Sequence, residues 1–462
     1  MSDINHQTYP TRLSQLHRIS HQHDLKIHTI TPIAYQALGP CPYNNFIYKI
    51  ELSEPPNLSF FFSSSSSSSS SGYASIPGTK SNEYISPPPE GETVFVIRMS
   101  NPLAMGINSL SDRVENEIVA MYLARRGLDS VNPGLGDLIP RVYAFCSKPQ
   151  DDDDDGGRQG DLPWTMMEYK PGVELNEVYD DLSAEVKEDV LGQVADVVAG
   201  VQRPVSGGSI GGLYGGLGLG KDVDGDGGII GTEMTTTSGG PWKSYEMFLQ
   251  ARLRHELGDA EKSPVIDGWK GNGVRERLEG LIERVGRTLS SLMKSGVEER
   301  RVLVHGDLTM NNILISPTTH KLTALLDFDF ACIAHPAHEY LVSLQDLGGN
   351  VMGPYGEDPT QGKLSQALLS GDFSEDVPDT LWWTGKTLDE MLKRRGVKRP
   401  CEMMPGMEVL RQWRALEQLL CPFHLTAPFI VQRMTEEQRA GARKGAEEEL
   451  VAQMEVLDKW EG

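Results

Sequence analysis

The sequence predicts an α+β fold of two lobes, a small one rich in strands and a larger one mainly helical. Three observations predict it. Alternating apolar and polar residues, the mark of a half-buried strand, are concentrated before residue 170. From Ser183 onward apolar residues recur mostly at helical spacing. Strands followed by helices, with no regular strand–helix alternation, give an α+β layout. The 462 residues suffice for one large two-lobed domain or for two to three ordinary ones, and 39% hydrophobic residues suffice for a core.

Taken in order, residues 1–34 form an N-terminal extension, polar and rich in histidine (His6, His17, His21, His23 and His28). The irregular histidine spacing argues against a metal site, and the segment reads as an exposed tail or a first helix. The small lobe is expected over 35–168. Phe46 to Leu52 and Thr93 to Arg98 read as neighbouring strands. Between them, residues 53–91 carry nine consecutive serines, Ser63 to Ser71, and the run Pro87-Pro88-Pro89. Such a composition cannot bury a core and predicts a disordered insertion. A helix follows, with Asp112 and Glu115 spaced as a capping box and Val114, Ile118 and Met121 on one face. Pro140 to Ala144 and Trp164 to Glu168 read as two further strands, separated by the acidic run Asp151 to Asp155, a solvated loop.

The large lobe is expected over 169–462. Val186, Val190, Val194, Val197 and Val201 mark the buried stripe of a long helix. Residues 203–241 are glycine-rich and irregular, and Thr435 with Gln438 caps a last helix over 436–460.

Charge narrows the function. Lys and Arg number 43 against 65 Asp and Glu, a net charge of −22, so the mean field repels nucleic acid and anionic membrane. No apolar run reaches the length of a transmembrane helix. The five cysteines are scattered and form no C-x-x-C pair, which excludes a zinc knuckle and fits a reducing, cytoplasmic setting. Oligomeric state is not legible.

The chemistry concentrates in residues 301–331, RVLVHGDLTMNNILISPTTHKLTALLDFDFA. Ile313 to Ile315 and Leu322 to Leu326 read as the arms of a hairpin turning at Ser316 to His320. Antiparallel pairing brings Asn312, before one arm, beside Asp327, after the other, with Asp307 in the loop leading in. A carboxylate beside an acceptor hydroxyl orients it and takes its proton. An amide oxygen and a second carboxylate are hard ligands for Mg²⁺. Buried Asp and Asn in such loops also cap turns.

HGDLTMNN followed by LLDFD resembles the aminoglycoside phosphotransferase and choline kinase-like family, whose fold is that of protein kinases. The resemblance covers roughly residues 35–345. It implies a catalytic loop at 305–312 with Asp307 as catalytic residue, and a metal loop at 327–329 with Asn312 and Asp327 holding Mg²⁺. It implies ATP as phosphoryl donor. Arg98 in VFVIRMS stands where the family places a cation for the nucleotide phosphates, with Glu117 as its carboxylate partner and Glu115 as the alternative. Asn45, in the turn before Phe46-Ile47-Tyr48, belongs to the phosphate cover. Glu168, Tyr169 and Lys170 belong to the linker that binds adenine. His305 is expected to brace the loop.

The acceptor is expected to be a small-molecule hydroxyl. Gly306 stands where protein kinases have Arg, and a helix-like segment, His338 to Leu347, leaves little room for a peptide-docking loop. Family members carry Gly-Asp-Pro and a later Asp after the metal loop; this chain has Ala334-His335-Pro336 and Glu339. A non-catalytic nucleotide-binding or scaffold relative is the alternative reading. Asp222, Asp224, Asp226, Gly227 and Glu233 fit the spacing of a Ca²⁺ loop, but their glycine-rich flanks are not helices, and a polar loop or hairpin is expected.

Overall fold

The computed structural model describes residues 3–35, 41–58, 61, 84–107, 110–147, 160–205, 212–221, 227–294, 300–352, 359–403 and 406–459. The chain opens with helix α1 (Tyr9–Gln22) and strands β1 (Ile27–Ile33), β2 (Asn45–Leu52) and β3 (Val94–Ser100). Helix α2 (Leu110–Val131), β4 (Val142–Cys146) and β5 (Trp164–Glu168) follow. These strands form one antiparallel sheet in the order β1-β2-β3-β5-β4.

The first 34 residues are not an exposed tail. Leu16 and Ile19 of α1 are buried with Tyr48, Ile50, Phe95 and Ile97 of the sheet, and β1 pairs along β2. The polar side chains disguise this because some are themselves buried. The Arg12 guanidinium lies over the Phe46 ring, 3.6 Å from its centroid, and donates to the Tyr48 hydroxyl at 2.7 Å. The sheet therefore begins before residue 35.

Of the serine-rich insertion, residues 59–60 and 62–83 lie outside the described residues, as do Asp151 to Asp155. The insertion's ends are tied down: Ser53 N donates to Lys26 O at 2.9 Å and Ser86 N to Val142 O at 2.9 Å.

After β5 the chain crosses into the larger part through β6 (Val173–Glu174), followed by helix α3 (Ala184–Val201). Val190, Val194, Val197 and Val201 of α3 are buried as their spacing predicts. The glycine-rich region is not wholly irregular: β7 (Gly216–Lys221) and β8 (Gly227–Thr232) pair as an antiparallel hairpin. The expected polar loop at Asp222, Asp224 and Asp226 lies outside the described residues, between these two strands.

Helices α4 (Tyr245–Lys262) and α5 (Val274–Lys294) lead to β9 (Val302–Val304), β10 (Ile313–Ile315), β11 (Leu322–Leu325) and β12 (Cys332–Ala334). Helices α6 (Ala337–Val342), α7 (Pro359–Ser370), α8 (Thr380–Arg394), α9 (Met407–Leu420) and α10 (Glu436–Asp458) complete the larger part, with four-residue turns between some of them. The Thr435/Gln438 capping box starts α10 as expected. No helix among the described residues is long and apolar enough to cross a membrane.

Two cores result. One joins α1 to the outer face of the sheet. The other runs through α3 to α10 and includes the apolar face of α2.

Candidate active site

The predicted hairpin forms. β10 pairs with β11 antiparallel with Ile313 opposite Leu325, and β6 lies on the other side of β10. Leu326 N donates to Asn312 O at 2.8 Å, so Asn312 and Asp327 are neighbours across the open end. Asn312 closes a short 3-10 turn, Met310–Asn312. Its Nδ2 reaches back to Asp307, donating to the backbone oxygen at 2.8 Å and to Oδ2 at 2.9 Å. This orients the amide and leaves Asn312 Oδ1 and Asp307 Oδ1 without a hydrogen bond among the described residues. Burial, with the Asp327 charge, pushes Asp307 up to about 6, against the pull of the Asn312 bond.

The loop before Asp307 is held from three directions. His305 Nε2 donates to Leu326 O at 3.0 Å, and Nδ1 accepts from Asp307 N at 3.2 Å, which fixes the neutral tautomer. Burial pushes this ring down to about 4, against the attraction of Asp327. Buried Glu339, on α6, accepts His305 N at 2.8 Å and Gly306 N at 3.2 Å. Asp346 Oδ2 accepts Met310 N at 2.8 Å. The support that His335 puts in doubt at the sequence level is thus supplied by Glu339. His335 itself accepts Ala337 N at 3.1 Å, and His338 shares a hydrogen bond with the Tyr245 hydroxyl at 3.2 Å.

Gly306 is required where it stands. Its φ is +82°, and a Cβ there would lie 2.4 Å from Phe330 O. No arginine fits, which accounts physically for the departure from protein kinases.

The sheet reaches this hairpin through Arg98. Its Nη1 donates to Glu117 Oε1 on α2, as the resemblance implies. Its Nη2 donates to Asp327 Oδ1 at 2.7 Å and lies 2.8 Å from Asp329 Oδ2. Arg98 is 6% exposed and Glu117 4%, so these charges meet away from water. Burial opposes the Arg98 charge, but Asp327, Asp329 and Glu117 outweigh it and raise its pKa. Burial likewise pushes Glu117 up, against the pull of Arg98.

Asn45 is drawn into the same cluster. Its Nδ2 donates to Asp329 Oδ2 at 2.6 Å, and its Oδ1 accepts from Arg113 Nη2 at 3.1 Å. Arg113 Nη2 also reaches Asp329 Oδ2 at 2.7 Å. Burial opposes ionisation of Asp329, yet Arg98 and Arg113 hold its carboxyl below the usual value. Sequence reasoning missed Arg113 and the role of Asp329. The available signal was Arg113 four residues before Glu117 on one helix, placing both on one face.

Two guanidinium groups here meet three carboxylates. Asp327 is the most accessible member, its side chain 35% exposed. Asp327 also has a left-handed backbone, φ +62°.

The linker residues stand apart from this cluster. Glu168 ends β5 and accepts Lys170 Nζ at 2.7 Å and Arg141 N at 3.1 Å. The Lys49 ammonium lies 4.9 Å from the centre of the Tyr169 ring. Because β6 pairs with β10, residues 168–170 span the step between the sheet and the β10–β11 hairpin.

Asn312 and Asp327 are oxygen donors of the kind Mg²⁺ takes. It is usually held by one or two carboxylates together with phosphate oxygens and water. Among the described residues no cluster of three or more His, Cys, Asp or Glu is arranged to hold a metal alone.

A family model described as the phosphotransferase enzyme family matches residues 114–365. No curated protein sequence matches the chain. Among solved structures, the chain is similar to the aminoglycoside phosphotransferase APH(2'')-Ib bound to ADP, at 12% identity and TM-score 0.46, covering 96% of this chain and 98% of that one. It is similar to APH(2'')-IIa in its ternary complex with streptomycin and ATP, at 12% identity and TM-score 0.45, covering 96% and 97%. It is also similar to the ethanolamine kinase of Plasmodium vivax, at 10% identity and TM-score 0.38, covering 92% and 82%.

Proposed function

Because the chain belongs to the phosphotransferase enzyme family, whose model spans more than half of it, we propose that it transfers the γ-phosphoryl group of ATP to a hydroxyl of a small molecule. The observation that carries this reading is the convergence of Asp307, Asn312 and Asp327 at one end of a buried hairpin, joined to the sheet by Arg98.

Each residue has a role that its contacts support. The Asp307 carboxylate orients the acceptor hydroxyl and takes its proton as the hydroxyl oxygen bonds to phosphorus and the bond from phosphorus to the ADP oxygen breaks. Its raised pKa makes it a better proton acceptor than an exposed aspartate while leaving it ionised at neutral pH. Asn312 Oδ1 and the Asp327 carboxylate would hold Mg²⁺, which would supply positive charge to offset that of the phosphates. Arg98, braced by Glu117 through Nη1 and bound to Asp327 through Nη2, fixes the Asp327 carboxylate and brings positive charge toward the nucleotide phosphates. Asn45 supports the cover of the phosphates, and residues 168–170 bind adenine. Gly306, with no space for a side chain, favours small acceptors because the cation that reads an activation-loop phosphate in protein kinases has no place here.

A screen of small-molecule alcohols with labelled ATP and Mg²⁺ tests the reading. Transfer to at least one acceptor, lost in Asp307→Asn, supports it. Nucleotide binding with no transfer to any acceptor supports the scaffold reading instead.

A further inference from the structure

Helix α2 presents Glu117 to Arg98, yet it is built into the larger part of the molecule. Val114, Ile118, Met121, Ala124 and Leu128 share one core with Val190, Val194 and Val197 of α3, which also takes in Val142, Phe145 and Met167 from the near face of the sheet, whereas α1 and the outer face of the sheet have a core of their own. The two helices cross at backbone contact. A Cβ on Gly127 would lie 2.2 Å from Gly200 O, and one on Gly200 would lie 2.6 Å from Leu128 Cδ2.

The glycine-rich hairpin completes the attachment. Asn116 is 1% exposed and both ends of its amide are used. Its Oδ1 accepts Leu217 N at 2.8 Å and its Nδ2 donates to Ala331 O at 2.9 Å, just beyond the metal loop. Glu115 accepts Leu219 N at 3.2 Å and the Ser147 hydroxyl at 2.8 Å. Immediately before β7, Gly215 exchanges both backbone hydrogen bonds with Ile333 of β12, at 2.9 and 2.8 Å. One strand edge therefore ties α2 to the segment that follows Asp327 and Asp329.

We infer that the β7–β8 hairpin is a clasp that fastens helix α2 to the large lobe, with Glu115 and Asn116 as positioning residues for the Arg98–Glu117 pair. Glu117 is then held in place through the clasp as well as by Arg98 itself. The positioning role rests on the proposed function; the clasp itself does not.

The test uses the full chain carrying Asn116→Ala, Glu115→Ala or Glu115→Gln. Hydrogen exchange is followed in peptides covering 113–121, 216–221 and 94–100. Binding of a non-hydrolysable ATP analogue with Mg²⁺ is titrated in parallel. Removing a buried hydrogen-bond partner should speed exchange in 113–121 and 216–221 by about tenfold, with 94–100 still protected. Nucleotide affinity should fall by about tenfold in both alanine variants. Glu115→Gln, which keeps an acceptor for Leu219 N, should stay close to wild type. If Asn116→Ala does not fold, Glu115→Ala carries the test.

Unchanged exchange in 113–121, or acceleration spread evenly over the chain, overturns the clasp. Local acceleration with unchanged nucleotide affinity overturns the positioning role. A wild type that binds no nucleotide contradicts the proposed function, and the exchange data alone then decide the clasp.

Discussion

Arg98, on the third strand of the sheet, and Asp327, at the open end of the β10–β11 hairpin, meet at 2.7 Å although 229 positions separate them. The same guanidinium group reaches Asp329 and Glu117, so one side chain joins the sheet, helix α2 and the loop after β11.

Asp329 is 2% exposed and takes Arg98, Arg113 and Asn45 on one oxygen. Asp329→Ala leaves Arg113 buried without its carboxylate. The expected cost is on the order of 3–5 kcal/mol, the usual consequence of removing one partner of a buried pair. Chemical denaturation measures it. A loss below about 1 kcal/mol, the range of exposed pairs, would mean that the cluster is solvated.

Asp307 gives a pH signature. Its pKa rises from 3.8 to about 6 on folding, mainly through burial, so the folded state binds this proton more tightly than the unfolded state. Its contribution to stability is fully present below about pH 4 and is lost as pH rises through 6. Asp307→Asn removes that loss. The variant should melt above wild type at pH 8, and the difference should shrink toward pH 4. Any turnover should fall on the order of 10²–10⁴-fold, the usual contribution of a positioned base. Wild-type turnover should itself decline below about pH 6.

Gly306→Ala places a methyl group against Phe330 O at a left-handed position. Backbone strain alone costs on the order of 1–3 kcal/mol, and the displaced Asp307 loop should lower activity further. A thermal melt equal to wild type would show that the loop accepts a side chain, and the steric account of the missing arginine would fail.

A second buried cluster lies under the large lobe. Glu417 on α9 accepts Arg252 at 2.9 Å and meets Arg414 at 2.7 Å. Burial opposes its ionisation, but the two arginines hold it at about 2. A depressed carboxyl stabilises the fold above its unfolded value near 4.5 and loses this effect as pH falls through 2. Glu417→Ala should cost on the order of 3–5 kcal/mol at pH 7. The penalty should diminish in acid, and melts across pH 2–7 check this.

The β10–β11 hairpin was legible because its signals are local. Asp307 and Asn312 lie five residues apart and touch, and hairpin register alone places Asp327 beside them. Arg98 and Glu117 were reached through family resemblance, since nothing near either residue names the other. The partners of Asp329 were not legible: Arg113 and Asn45 lie 216 and 284 positions away. The β7–β8 hairpin was hidden by composition. GLGLGK has weak intrinsic strand preference, and the strand is held by Asn116, Glu115 and Ile333 outside it. A first helix was among the readings of the N-terminal segment, but the packing of α1 was obscured because Arg12 and Gln15, polar by type, are buried in its face.

The most direct test is calorimetric titration of a non-hydrolysable ATP analogue, with and without Mg²⁺, into wild type, Asp307→Asn and Asp327→Asn. Wild type should bind the nucleotide with Mg²⁺ more tightly than without it. Asp307→Asn should bind nearly as well, because its carboxylate acts on the acceptor. Asp327→Asn should lose affinity on the order of 10²-fold in Mg²⁺, because an amide is a poorer ligand for a hard cation. A wild type that binds no nucleotide, or an Asp327→Asn variant with undiminished Mg²⁺-dependent binding, would contradict the assignment of this hairpin as a phosphoryl-transfer site.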